Sequence, residues 1–451
     1  MNYIFSFSRN NIWQFCFVLL TVCIASLLIT TYNVFVIGLL LGLFIFILFV
    51  KKPELALAVQ FSGTILYFYL LYKLGLAPFR ELTGGFHVFL IISYLFGGII
   101  LLLKNQRNFK LGSIDVLFIL LFFWLFMSYF IFSMDNEAAY QKVMFAPFLV
   151  IAPYFGIQLL SSEERIKKFY DYSVLFPALL IIPAFYEFLF NPTLKNMRRF
   201  IPYNFKQEVQ DPHVFAIGYC VLILILVVTT LDRKEKISFK HIILNILLII
   251  PSIFFVISAG SRSRFFNLII TIAFYFILIS KARIKRRIYI LIIVVLASII
   301  AYNYVSESTL SFIASTYEAK DIQGTSVYGR TERYKMALND FLEHPIIGVG
   351  IGNSEKGVGF PHNILLEVAA ELGIVGLLIF ISMCLVSVWK ALVFIRGYGS
   401  HESKLLMKLS LAFFIYSFLV LMYSERITTT IWFFLPMGII SYLSKNRMIR
   451  E

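Results

Sequence analysis

Apolar runs of about 17 to 25 residues recur along almost the whole chain, from Ile12–Thr30 near its start to a last run centred near residue 435. A helix of that length crosses the hydrocarbon layer of a bilayer. Within lipid, backbone N–H and C=O groups must find partners inside the chain, which restricts spanning segments of this length to helices. The composition agrees, with 60% hydrophobic and 14% charged residues and 49 phenylalanines in 451 positions. These features predict an all-α polytopic integral membrane protein of about fourteen transmembrane helices, centred near residues 21, 42, 63, 95, 123, 151, 181, 221, 249, 273, 296, 373, 414 and 435. No small-residue cleavage site follows Ile12–Thr30 and another span begins at once, so this first run reads as a mature helix and not a signal peptide. The pattern is least regular around Gly63 and Gly98, where Lys73, Gly75 and Pro78 interrupt it. With no internal repeat, low-complexity tract or long linker, residues 1–451 read as a single membrane domain.

Lys and Arg fix the expected orientation, because positively charged loops are retained on the cytoplasmic side. Placing both termini inside puts 25 of the 40 basic residues on that face, Lys51, Lys110, Arg165, Lys240, Arg286, Lys408 and Lys445 among them. The net charge of +15 is thus spread among membrane anchors. That scatter argues against nucleic-acid binding, which needs a basic surface gathered on one domain. Cys16, Cys23, Cys220 and Cys384 all fall inside expected spans and read as small hydrophobes, with no disulfide or CxxC site. The six histidines are scattered without metal-ligand spacing, and no metal or other cofactor is expected.

Three segments fall on the outer face. The longest, residues 306–361, must hold structure of its own. Within it Tyr334, Leu338, Phe341 and Leu342 follow the spacing of one helix face, Glu332, Arg333, Lys335 and Asp340 take the other, and His344-Pro345 ends the helix. This is the pattern of an interfacial helix lying on the bilayer. Gly348, Gly350 and Gly352 lack the strand and spacing of a dinucleotide fingerprint and read instead as tight turns that bring His362 over the membrane surface. Asn363 suits the N-cap of the next helix. Glu367 and Glu371 share one face of that helix, serving either a hydrated helix start favoured by the dipole or an acceptor sugar. The second segment is SAGSRSR, Ser258 to Arg264. Arg262 and Arg264 there either snorkel to the surface or meet something negative outside, since they sit on the face that topology disfavours for positive charge. The third, from about Asn191 to Asp211, carries Arg198, Arg199 and Lys206, as a solvated charged loop or a functional one.

Taken together, SAGSRSRFF, YGRTERYKMALNDFLEHPIIGVG and PHNILLEVAAELGIVGLLIF resemble the O-antigen ligase and O-antigen polymerase superfamily of bacterial membrane glycosyltransferases. A fainter likeness lies at DPHVFA, where His213 stands in the place of an asparagine usual in the family. The resemblance covers roughly the second half of the chain. It implies a bundle like that of the GT-C membrane glycosyltransferases, with the long extracytoplasmic loop capping the active site, in the bacterial inner membrane. It also implies metal-independent, inverting transfer of an undecaprenyl-diphosphate-linked glycan to an acceptor sugar hydroxyl. Residue by residue, the family's catalytic histidine matches His362, and its pyrophosphate-binding arginines match Arg262 with Arg199 or Arg198, Arg264 lying beside them. Arg330 matches the arginine that opens the long-loop helix, and Asn363 and Glu371 match residues usual beside the histidine, with Glu367 one turn away.

These residue types suit that chemistry. Arginine binds phosphate oxygens bidentately and stays ionised, which favours charge developing on a departing diphosphate. An imidazole near its ordinary pKa of about 6.5 can accept the proton of the attacking hydroxyl. About fourteen spans and a long outer loop lean toward a polymerase, which extends lipid-linked repeat units into a surface polysaccharide and for which a chain-length regulator protein is a candidate partner. The first alternative is an O-antigen ligase that transfers the glycan to lipid A core. The second, a transporter or flippase, expects ionisable residues at the membrane midplane and repeated halves, and neither is evident.

Overall fold

The computed structural model describes residues 34–73, 80–104, 110–191, 200–202, 212–233, 238–280, 284–304, 326–355, 359–397, 399–423, 426–428 and 430–447. Among these, every regular element is helical. The helices are α1 (Val34–Lys51), α2 (Pro53–Lys73), α3 (Arg80–Lys104), α4 (Ser113–Phe132), α5 (Glu137–Leu159), α6 (Glu163–Phe190), α7 (Pro212–Asp232) and α8 (Phe239–Ser258). They continue with α9 (Arg262–Phe274), α10 (Ile284–Tyr304), α11 (Ser326–Glu343), α12 (Ile364–Arg396), α13 (His401–Leu421) and α14 (Ile431–Arg447). Helices cover every expected centre from 42 to 435, while the run centred near residue 21 lies outside the described residues. Among the described residues nine helices are long and apolar enough to cross a membrane, against the fourteen spans expected. Gly42–Lys51, Ser263–Ile279 and Ile431–Lys445 are apolar but shorter.

The helix at the centre of the bundle is α7, whose span is 94% buried. Its sequence from Phe215 to Val228 is apolar on all sides, and a helix without a polar face is stable only when neighbours enclose it. Helices α6, α8, α9 and α13 do so. Short connections make sequential helices antiparallel neighbours, as in the α7–α8 and α13–α14 pairs. The peripheral helices α3, α4 and α10 instead expose rows of large apolar side chains, such as Ile92, Phe96 and Leu103 on α3 and Phe123 and Phe130 on α4, the surface that a bilayer covers. Pro147 starts a π turn inside α5, and Pro177, Pro183, Pro251 and Pro436 lie within other helices, where neighbouring helices absorb the local distortion.

The two ends of the bundle differ. At one, Lys445 bonds Asp115 at 2.7 Å, Arg165 pairs with Glu54 at 2.7 Å, Lys167 pairs with Glu402 at 3.1 Å, and Lys408 pairs with Asp232. This end collects the residues that the charge pattern assigns to the cytoplasmic face. At the other end residues 344–355 and 359–363 lie against α12 together with α11, and this is the capped end.

The capping segment is held by a break in α12. Gly373 has φ 65° and ψ −166°, a conformation essentially reserved for glycine, and the helical hydrogen-bond ladder is interrupted there. The freed groups find partners in the preceding loop and in α4. The Ile374 N–H donates to the Pro345 carbonyl at 2.8 Å, the Val349 N–H to Ala370 at 2.9 Å, the Gly350 N–H to Glu371 at 3.1 Å, and the Trp124 indole to the Leu372 carbonyl at 3.0 Å. Gly348 must approach this break closely, since a Cβ on it would lie 2.4 Å from the Glu371 carbonyl carbon. The glycines therefore do make turns, as the sequence implies, but their main work is to let a loop backbone dock on a broken helix.

Replacing Gly373 with alanine forces a Cβ to within 2.3 Å of the Ile346 carbonyl oxygen at a backbone conformation alanine avoids. The expected loss is about 1–3 kcal/mol or more, read as a lower thermal midpoint of the purified protein. An unchanged midpoint contradicts this account of the break.

Candidate active site at the capped end

His362 lies where the capping segment turns into α12, with φ +55°, an uncommon backbone state for a residue other than glycine. The next residue explains why the turn is tolerated. The Asn363 side chain accepts hydrogen bonds from the N–H groups of Leu365 at 3.0 Å and Leu366 at 3.2 Å, the expected N-cap. The imidazole is half-buried against the edge of Phe360, with ring centroids 4.7 Å apart at 65°. Among the described residues its buried Nδ1 has no hydrogen-bond partner. Burial, together with the nearby guanidinium groups of Arg330, Arg333 and Arg426, lowers its pKa to about 4, against a smaller opposing effect of Glu355. At neutral pH both effects favour the uncharged ring, and they make it a weaker base than an ordinary imidazole.

Arg330 and Arg333 come from α11, which packs on α12. The helix spans Ser326–Glu343 and stops before Pro345 as the sequence predicts, but its inward side is not the whole apolar stripe. Ala337 is buried and Tyr334 and Phe341 are half-buried, whereas Leu338 and Leu342 are exposed. The inward side is narrow and shared with the arginines, and the outward leucines join Ile346 and Ile347 in an apolar strip suited to lipid. Residues 306–325 of the long outer loop lie outside the described residues.

Beneath His362 the structure places a cluster that the sequence did not reveal. Lys142 on α5 is 1% exposed, and its ammonium lies 2.7 Å from Glu367, 2.7 Å from Glu371 and 2.8 Å from Glu355. Glu371 also accepts from the Ser354 hydroxyl at 2.8 Å, and Glu367 from the Ile427 N–H at 3.3 Å. The three carboxylates come within 4.8 Å of one another, a spacing that suits a metal ion, but the ammonium already sits among them. Glu367 and Glu371 are therefore buried, which rules out the hydrated helix start, and their charged groups face Lys142. Glu355 turns its second oxygen to Arg426 at 2.7 Å. The signal for Lys142 was present: a lone lysine set inside an apolar span. Arg426 lay in an outer connection, open to the same topological argument as Arg262.

The other motifs meet at this end as well. His213, at the start of α7, bonds the Ser261 hydroxyl at 2.9 Å, joining DPHVFA to SAGSRSR. The Phe200 N–H donates to the Ser258 carbonyl at 2.8 Å, so the loop that follows Arg199 is anchored on the same turn. Arg198 and Arg199 lie outside the described residues, as does the side chain of Arg262, whose backbone opens α9. Arg264, one half-turn on, does not snorkel. It is fully buried on α9, the helix that packs against α7 and α13. The starts of α7, α9 and α12 and the α13–α14 connection thus share one end of the bundle.

Lys142→Met leaves three carboxylates crowded in a buried site without their cation, which costs about 3–5 kcal/mol. A correspondingly large fall in the thermal midpoint is expected, partly restored when Glu371→Gln is added to the same chain. A double variant less stable than Lys142→Met alone contradicts this.

Residues 246–381 match the family model described as O-Antigen ligase. No curated protein matches the chain. The matched segment runs from within α8 through Ser261, α11 and His362 into α12, and includes the broken turn at Gly373. The match supports the O-antigen ligase and O-antigen polymerase superfamily for this segment, the part of the chain that carries the sequence motifs.

Proposed function

We propose that the protein is a glycosyltransferase of the bacterial inner membrane that passes a glycan from undecaprenyl diphosphate to a hydroxyl of an acceptor sugar. The capped end faces outward and both termini face the cytoplasm. The observation that carries this reading is the imidazole of His362 at the entry to α12, its Nδ1 without a hydrogen-bond partner among the described residues, with three guanidinium groups in its surroundings. Such a site offers a proton acceptor and fixed positive charge together.

In the proposed step the acceptor oxygen attacks the anomeric carbon from the face opposite the diphosphate. The bond from that carbon to the diphosphate oxygen breaks with its electron pair leaving on the diphosphate, and the hydroxyl proton passes to His362. Configuration inverts and no covalent enzyme intermediate forms. Arg262, with Arg199 or Arg198, binds the diphosphate, and Arg330 contributes positive charge from α11; preorganised cations favour the departing group without reorganising. Arg264 supports the α9 start from within the bundle. Asn363 fixes the end of α12 on which His362 depends, and Glu367 and Glu371 hold that end through Lys142, a positioning role in place of direct contact with the acceptor.

Extension of lipid-linked repeat units, as a polymerase, is the first reading, with a chain-length regulator as a candidate partner. The second reading is a ligase acting on lipid A core, and the family match fits either. Product analysis in vitro separates them: a ladder of chain lengths on undecaprenyl diphosphate supports polymerisation, and label on core lipid supports ligation.

His362→Ala is expected to lower kcat about 10²–10⁴-fold in correctly inserted protein, and near wild-type turnover overturns the proton-acceptor role. Because the pKa of His362 is depressed, its accepting form persists as the pH falls below neutral and is lost only through about pH 4. The pH profile of kcat/KM, which reports the free enzyme, should be flat around neutrality with its acid limb there. An inflection near 6.5 contradicts the described surroundings.

A further inference from the structure

Arg426 lies outside the matched family segment, on the connection between α13 and α14, yet a chain of contacts leads from it to His362. Its guanidinium is held by Glu355 at 2.7 Å and sits over the Phe360 ring, 5.4 Å from the centroid. Phe360 is buried and also meets the imidazole of His362, edge-on with ring centroids 4.7 Å apart. Glu355 is itself fixed by Lys142 at 2.8 Å. A residue from the last inter-helix connection is thus tied to the catalytic segment by an ion pair on one side and by a cation–π contact on the other.

We propose that Arg426 is a positioning residue for His362: clamped by Glu355 and laid on Phe360, its guanidinium fixes the ring against which the imidazole rests and sets a permanent positive charge beside it. This rests on the role given to His362 above. Two consequences follow from the geometry. The imidazole keeps the orientation that an attacking hydroxyl requires, since Phe360 cannot turn without breaking its contact with the guanidinium. The charge also opposes protonation of the imidazole, together with Arg330 and Arg333 from α11, while Glu355 opposes their effect; these are the largest charge effects on His362. Because Glu355 is shared with the Lys142 cluster, Arg426 couples the α13–α14 connection to the anchored start of α12. Lysine in its place keeps the charge but loses the planar fork and the face that stacks on the ring.

The test uses the full-length protein in lipid nanodiscs with two readouts. The first is modification of His362 by diethyl pyrocarbonate as a function of pH, followed on its peptide by mass spectrometry; only the unprotonated imidazole reacts, and no glycosyl transfer is needed. The second is kcat and KM for transfer from the lipid-linked donor. In Arg426→Gln the midpoint of His362 modification should move up by about one pH unit and kcat should fall about tenfold with KM within about twofold. Arg426→Lys should leave the midpoint near that of wild type while kcat still falls. An unchanged midpoint in Arg426→Gln overturns the proposal, as does a rise in KM with kcat preserved, which marks a direct contact with substrate. Should Arg426→Gln not fold, Phe360→Leu keeps the ion pair and removes the ring; lowered kcat is expected, and wild-type kcat overturns the proposal. His362→Ala that retains activity refutes the proton-acceptor reading instead, and leaves the midpoint measurement on Arg426→Gln to decide the contact by itself.

Discussion

The capped end depends on one buried cation. Three carboxylates set close together away from water repel strongly and are costly to desolvate, and the ammonium of Lys142 is what makes their proximity favourable. Because the carboxylates come from the capping segment and from α12 while the lysine comes from α5, the cluster fastens three parts of the chain at one point. The position of His362 follows from that fastening. It lies just ahead of α12, the helix that carries Glu367, and within the segment that Glu355 secures.

The break at Gly373 makes the same region rigid by other means. A helix interrupted in a bundle leaves backbone groups without partners, and in lipid such groups are expensive. Here the loop from Pro345 to Gly350 supplies them, so the capping segment is bound to α12 through its backbone as well as through ion pairs. The positive φ at Gly348 and Gly373 permits the two strands of chain to approach within a distance that side chains would forbid. A loop held in this way can carry the strained backbone of His362 without relaxing.

Much of this was legible in the sequence because its signals were local. Span periodicity marked the helices from residue 42 onward; Asn363 before an apolar run marked a cap; Pro345 marked the end of α11; and the glycines marked a turn-rich segment. What stayed hidden depended on contacts between distant residues. Nothing adjacent to Lys142 in the chain announces that its partners lie more than 200 residues away at Glu355, Glu367 and Glu371. For Glu367 and Glu371 the spacing gave the face but not what that face meets, and so left hydration and sugar binding as the alternatives when an internal ammonium was the answer. For α11 the periodicity gave the apolar stripe but not its division, with Tyr334 and Phe341 half-buried while Leu338 and Leu342 are exposed.

The central proposal is that the imidazole of His362 and the arginine at the start of α9 act on one lipid-linked substrate beneath the cap, the first on the attacking hydroxyl and the second on the departing diphosphate. A structure of the protein in lipid with bound undecaprenyl diphosphate linked to a sugar tests it most directly. The account predicts diphosphate density at the capped end, within hydrogen-bond reach of Arg262, with His362 facing the anomeric carbon across a gap that admits one hydroxyl. Diphosphate bound at the opposite end, near Lys445 and Asp115, or in a cavity that His362 does not line, would contradict it.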